Sequence, residues 1–361
     1  MTAQTLRLVP PPLTLADAPD PNWAHIARMS DETGLLEHSR NAIVRREHGY
    51  CVDDIARGLL IASRERQPTG QVIALAERYL AFLTHALTPA GRCRNRMGYD
   101  RRWSDEPSLG DWWGRAVWGL GTAAARSTVP WIRAEARGAF YQAIQQRSPW
   151  PRAMAFAGLG AAEVLRADPR SGPAAELLAD AATAVGVHGS DPEWVWPEPE
   201  LTYANPALAE VVIAAGDLLG DEPLLTDGLR MLAWLCHQQE HNGHLSTVPT
   251  GGWRPEVPKH RHDQQPIEAA ATADACATAS AVTGDDRWDG PLFQSIAWFL
   301  GDNDTSVVMF DPQTGGGYDG LKPDGPNENQ GAESTLALIA TLQHARLLAT
   351  HGANRPSGGQ P

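Results

Sequence analysis

The sequence predicts an all-α fold, an (α/α)6 barrel in which an inner ring of buried helices is wrapped by an outer ring. Three observations predict it. Six stretches open on polar or aromatic residues and run into small and aliphatic ones, amphipathic stretches alternate with them, and the connections divide into a short class and a long class.

The six stretches are YCVDDIARGLLIA, LGDWWGRAVWGLGTAAA, PWPRAMAFAGLGAAEVL, LTYANPALAEVVIAAG, QQPIEAAATADACATAS and NQGAESTLALIATLQHA. With Asp54, Trp112, Arg152, Pro206, Glu268 and Glu333 as equivalent points, they recur every 40 to 65 residues, a degenerate repeat of two helices per unit. None carries a long polar face, as a helix buried on all sides should not. Between them, Val72, Leu75, Ala76, Tyr79, Leu80 and Leu83 keep the i, i+3, i+4 spacing of a helix with one wet face. Residues 132–144, 175–185, 224–236 and 292–300 repeat that pattern with more charge. A short helix at 23–29 completes the outer set.

Inner-to-outer connections are brief and turn-like: RERQPTG, LRADPRSGP, GDLLGDEP and TGDDRW. Outer-to-inner connections are long and rich in aromatic and charged residues, among them GRCRNRMGYDRRWSDEPSLGDW and NGHLSTVPTGGWRPEVPKHRHDQQP. Long loops gathered on one end of a compact scaffold are where function sits, and strands are expected only as short hairpins within them. A repeat solenoid that binds another protein is the competing architecture.

The domain expected on this pattern spans 22–351, between a Pro-rich arm at 1–21 and a disordered tail at 352–361. The arm lacks the apolar core of a signal peptide, and no apolar run approaches the length of a membrane span. A net charge of −13 argues against nucleic acid or an anionic membrane as partner. Cys51, Cys93, Cys236 and Cys276 are scattered, with no CxxC pair, which fits free thiols in a cytoplasmic protein.

The stretch HGYCVDDIAR, residues 48–57, concentrates chemistry at a helix start. In a helix, Asp53 and Asp54 diverge by about 100°, while Asp54 and Arg57 share a face. A first turn also favours carboxylates electrostatically. This combination of repeat and loops resembles the six-hairpin glycosidase-like (α/α)6 barrels over roughly 22–350. More narrowly, HGYCVDDIAR and NENQGAEST resemble a bacterial group of such barrels associated with glycosyltransferases and β-mannoside phosphorylases. The resemblance implies a carbohydrate-active enzyme, and barrels of this kind mostly invert the anomeric centre.

Glycoside hydrolysis needs a proton donor at the leaving oxygen and a second carboxylate for water or carbon. Asp54, Glu268 and Glu333 belong to inner helices one, five and six, which neighbour one another in a ring closed in sequence order. Glu200 precedes inner helix four, across the ring from Asp54. These four are the expected catalytic carboxylates. Sugar rings pack on aromatic faces, and Tyr50, Trp112, Trp113, Trp196 and Tyr203 fall at the loop end. Asp53, Asp111, Arg57, Arg115, Arg152, Asn205, Gln265, Asn329 and Gln330 are candidates for sugar hydroxyls. His48 and His262 keep a second chemistry open, an epimerase or isomerase using histidine as proton shuttle on the same barrel. A non-catalytic glycan-binding module is the third reading. The expected partner in each case is an oligosaccharide or glycoside.

No cofactor or metal is expected. Asp53-Asp54-Ile55-Ala56-Arg57 ends on Arg, where the metal-binding DDxxD motif needs Asp. His260-Arg261-His262-Asp263 sits in a charged loop without a distant partner of fixed spacing. Arg92, Arg94, Arg96, Arg101 and Arg102 read as a surface charge run. Gly315-Gly316-Gly317 lacks the context of a phosphate-binding loop.

Overall fold

A computed structural model describes residues 13–186 and 193–354, with side chains through 350. Its helices in chain order are α1 (Ala24–Met29), α2 (Val52–Arg64), α3 (Gly70–Ala86), α4 (Asp111–Arg126), α5 (Pro130–Ala143) and α6 (Pro151–Ala167), then α7 (Gly172–Val185), α8 (Asn205–Leu219), α9 (Glu222–Gln238), α10 (Pro266–Thr283), α11 (Asp289–Phe299) and α12 (Ala332–Asn354). The even-numbered helices form the inner ring. Each packs on the next, and α12 returns to pack on α2 and close the circle. The odd-numbered helices lie outside, with α3 on α2, α5 on α4, α7 on α6, α9 on α8, α11 on α10 and α1 on α12.

Burial follows the two patterns read from the sequence. In α6 every residue from 152 to 165 is buried, whereas α9 buries only Gly228, Met231, Leu232 and Leu235 along one stripe. Proline opens α5 and α6, and also α10, where its fixed φ suits the first turn and its missing N–H costs nothing. Small residues set how closely inner helices approach. A Cβ on Gly121 would stand 2.3 Å from the Gly160 carbonyl, and one on Gly160 would stand 2.5 Å from that of Val117. Nothing larger fits the α4–α6 crossing.

Among the described residues, strands occur only as two-stranded antiparallel pairs, all in or beside the outer-to-inner connections. Ser39–Arg40 pairs with Ile43–Val44, and Tyr50–Cys51 reaches across to Arg96–Met97. Glu240–His241 pairs with His244–Leu245, and Gly320–Lys322 with Gly325–Asn327. The expected tail from 352 begins inside α12, which runs to Asn354; the remainder at 355–361 and the arm at 1–12 lie outside the described residues. No helix among the described residues is long and apolar enough to cross a membrane.

Candidate active site

All six inner helices start at the same end of the barrel, and there a cavity of about 840 Å³ opens among the long loops. The helix starts fill it with charge. From α2 come Asp53, Asp54 and Arg57; from α4, Asp111, Trp112 and Arg115; from α6, Arg152; from α12, Glu333. Converging helix N-termini carry partial positive charge, which favours carboxylates in these first turns.

Arginines organise the acids. Arg57 donates from Nη1 to Asp54 Oδ1 at 2.7 Å and from Nη2 to Glu333 Oε2 at 2.6 Å, tying α2 to α12. Arg115 reaches Asp53 Oδ1 at 3.2 Å. Arg152 donates to Glu198 Oε1 at 2.5 Å and to the Tyr203 carbonyl at 2.7 Å. Tyr203 in turn donates its hydroxyl to Asp111 Oδ2 at 2.7 Å. Two walls therefore face the cavity, one built on Arg57 and the other on Arg152.

Asp54 differs from the other acids that line the cavity in being buried. Burial pushes its carboxyl up to about 8, against the pull of Arg57, with the charges of Glu333, Glu37 and Asp53 adding to the rise. That rise favours the protonated form at neutral pH, even though Arg57 grips the same carboxyl. Burial also raises Asp319 on the cavity wall, although the Gly331 N–H bonded to it pulls the other way.

Of the expected site residues, Asp53, Asp54, Arg57, Asp111, Trp112, Arg115, Arg152, Tyr203, Gln265 and Glu333 line the cavity. The others do not. Glu200 is solvent-exposed outside it, and Glu198, two residues earlier, takes the place beside Arg152. Glu268 lies beneath the floor, where it accepts the N–H of Ala204, a residue in left-handed conformation at the entrance to α8. Asn205 sits behind Arg152, accepting from Nη2 at 3.3 Å. Trp113 is fully buried with its indole N–H on the Gly91 carbonyl, and Trp196 is buried against Trp234. Tyr50 is buried and donates to Asp31. Asn329 and Gln330 brace loops, accepting from the Asn41 N–H and the Thr314 hydroxyl respectively. His48 is exposed with its ring edge against His38, and His262 stands away from the cavity in its own loop.

Sequence reasoning passed over Glu37, His38 and Asn95, which line the cavity from the connections before α2 and α4. The rule that outer-to-inner loops carry function covers the segment between α1 and α2 as well, and applying it there finds the first two. Glu37, Cys51 and Asp54 bring three potential ligand atoms within 4.8 Å of one another. Arg96 and Arg57 already pair with the two carboxyls, and burial pushes the Cys51 thiol far up, so this trio suits a proton better than a metal ion. A second cavity, of about 890 Å³, opens at the opposite end. The inner helices' own C-terminal turns hollow it out, which short connections did not suggest.

No family model matches the sequence, and no curated protein matches it. Solved structures do. The chain is similar to a sugar epimerase from a ruminal bacterium, at 12% identity and a TM-score of 0.67, over 89% of this chain and 95% of that one. It is similar to a D-mannose isomerase at 10% identity and a TM-score of 0.66, over 92% and 96%. It is also similar to an α-mannanase of glycoside hydrolase family 76 from Bacteroides thetaiotaomicron, at 11% identity and a TM-score of 0.62, over 91% and 94%. At such identities the likeness is one of fold, and by fold the chain is an (α/α)6 barrel.

Proposed function

We propose that this protein is a carbohydrate-active enzyme, an inverting glycoside hydrolase that works with two carboxyls across the loop-end cavity. The observation that carries the reading is one cavity that holds a buried carboxyl, Asp54, pushed up to about 8, together with Glu198, held by Arg152. Environments that push two carboxyls apart are how an active site assigns acid and base. Asp54 donates its proton to the leaving glycosidic oxygen. Glu198, held by Arg152 in the loop before α8, activates the water. Helices α2 and α8 are first and fourth in the ring of six, so the two groups flank a bound ring from opposite sides. Inversion asks for roughly 6.5–9.5 Å between the carboxyl groups, room for that water. Trp112, Trp150 and Tyr203 offer faces for the sugar, and the remaining acids and arginines meet its hydroxyls.

A second reading is epimerisation or isomerisation of a reducing sugar. It rests on His38, which lines the cavity 3.6 Å from Glu37 and takes the role first expected of His48 and His262. Fold neighbours include enzymes of both kinds. One experiment separates the readings: incubation with aryl glycosides, manno- and gluco-oligosaccharides and reducing disaccharides, with and without phosphate, followed by chromatography of the products. Hydrolysis with an alkaline limb near pH 8 supports the carboxyl pair. Interconversion of reducing sugars without bond cleavage, lost in His38→Ala, sinks it.

A further inference from the structure

The second cavity lies at the C-terminal ends of the inner helices, and each of those helices sends at least one ionisable side chain to it, among them Arg64, Arg126, Glu163, Glu210, Asp274 and His344. We propose that this cavity is a second ligand site, distinct from the loop-end cavity, and that it takes a neutral, hydroxyl-rich ligand of saccharide size. The inference stands apart from the proposed hydrolysis.

Size is the first support. At about 890 Å³ the cavity matches the loop-end one and falls in the range of about 300–1,000 Å³ that buries a small molecule. The two are separate. Arg57 belongs to the first and Arg64 to the second, two turns and about 10 Å apart along α2. Between them lies only a void of about 50 Å³, lined by both arginines.

Charge balance is the second support. Arg64 binds both oxygens of Asp274 at 2.8 and 3.0 Å, and His344 approaches the same carboxylate at 2.6 Å. Arg126 holds both oxygens of Glu163, at 2.5 and 2.7 Å. Arg346 holds Glu65 at 2.8 Å. Arg166 shares Glu163 at 3.6 Å, and Arg66 and Asp217 add exposed charges of opposite sign, so the deep charges are largely paired.

Unused hydrogen-bonding capacity is the third. Gln343, itself 5% exposed, keeps its Oε1 buried without a donor, and Arg64 keeps Nε without an acceptor. Glu210 accepts from the Thr278 hydroxyl at 2.8 Å, and burial pushes its carboxyl up to about 8, which favours the protonated, donating form. Gln343, Arg64 and the Glu210 carboxyl line one space, and such a mix of donors and acceptors matches hydroxyl groups, which both give and take. Ala277, Val282 and Leu347 add an apolar strip suited to a sugar's C–H face. A network serving packing alone would close on itself; this one rims an open cavity.

The test is calorimetric titration of the full chain with D-glucose, D-mannose and cellobiose, and with inorganic phosphate as the charged control. Ala277→Phe fills the second cavity, and Gln265→Trp fills the first. The expected result is binding of at least one sugar that survives Gln265→Trp and weakens at least tenfold in Ala277→Phe. Gln343→Leu and Thr278→Val, milder changes checked for unaltered circular dichroism and melting, should weaken it severalfold. Binding lost in Gln265→Trp but kept in the other three overturns the proposal. So does binding of phosphate alone, or of no probe at all.

Discussion

Replacing Asp54 by Asn tests the site most directly, because it predicts opposite effects on rate and on stability. Asn keeps the shape of the protonated carboxyl and cannot ionise. In the folded protein burial carries Asp54 from an ordinary value of 3.8 to about 8. Between those limits the folded state holds a proton that the unfolded chain has released, so stability falls as pH rises. At about 1.36 kcal/mol per pH unit, the full window amounts to roughly 6 kcal/mol. Asp54→Asn removes that slope. Urea unfolding of both proteins at pH 5, 6, 7 and 8 should therefore show the variant gaining on the wild type by about 1.4 kcal/mol per pH unit. On a hydrolysed glycoside the same variant should lose about 10²–10⁴-fold in rate, the usual contribution of a general acid. Parallel stability curves would refute the protonated state, and near-wild-type turnover would refute the catalytic role.

Other expectations follow from neighbouring geometry. Glu198→Gln should lower kcat by about 10²–10⁴-fold with the fold intact, while Glu200→Gln, on an exposed loop position, should leave kcat within about twofold; equal losses in steady-state assays would contradict the assignment. Glu268→Ala strips the acceptor from the buried Ala204 N–H and should cost about 1–3 kcal/mol of stability in urea unfolding, whereas Glu268→Gln should retain most of it. Gly160→Ala drives a methyl into the Val117 carbonyl and should destabilise by about 1–3 kcal/mol or more, read as a lowered melting temperature; an unchanged melting temperature would mean α4 and α6 can separate freely.

The sequence by itself determined the ring. Which stretches are helices, which of them are buried all round, their alternation and the end that carries the long loops are properties of local periodicity and connection length. Side chains state these wherever the chain goes. Asp53, Asp54, Arg57, Asp111, Arg115 and Glu333 were legible for the same reason: each sits in the first turns of a helix whose end was already known.

Only tertiary structure decided the rest. Glu198 and Glu200 differ by two residues in an irregular loop, and no periodicity says which one faces Arg152. At the start of α10, the N-cap Gln265 looks into the cavity while Glu268, nearly one turn on, passes under the Ala204 turn; that depends on how α8 is seated. Trp113 and Trp196 point into the core because the helices beside them leave space there. The protonation of Asp54 belongs to no residue type, since it arises from burial among other acids. The cavity at the far end has the same origin. Its polar residues are spread over all six inner helices and become a site only because the ring closes, a relation between distant parts of the chain that no local pattern records.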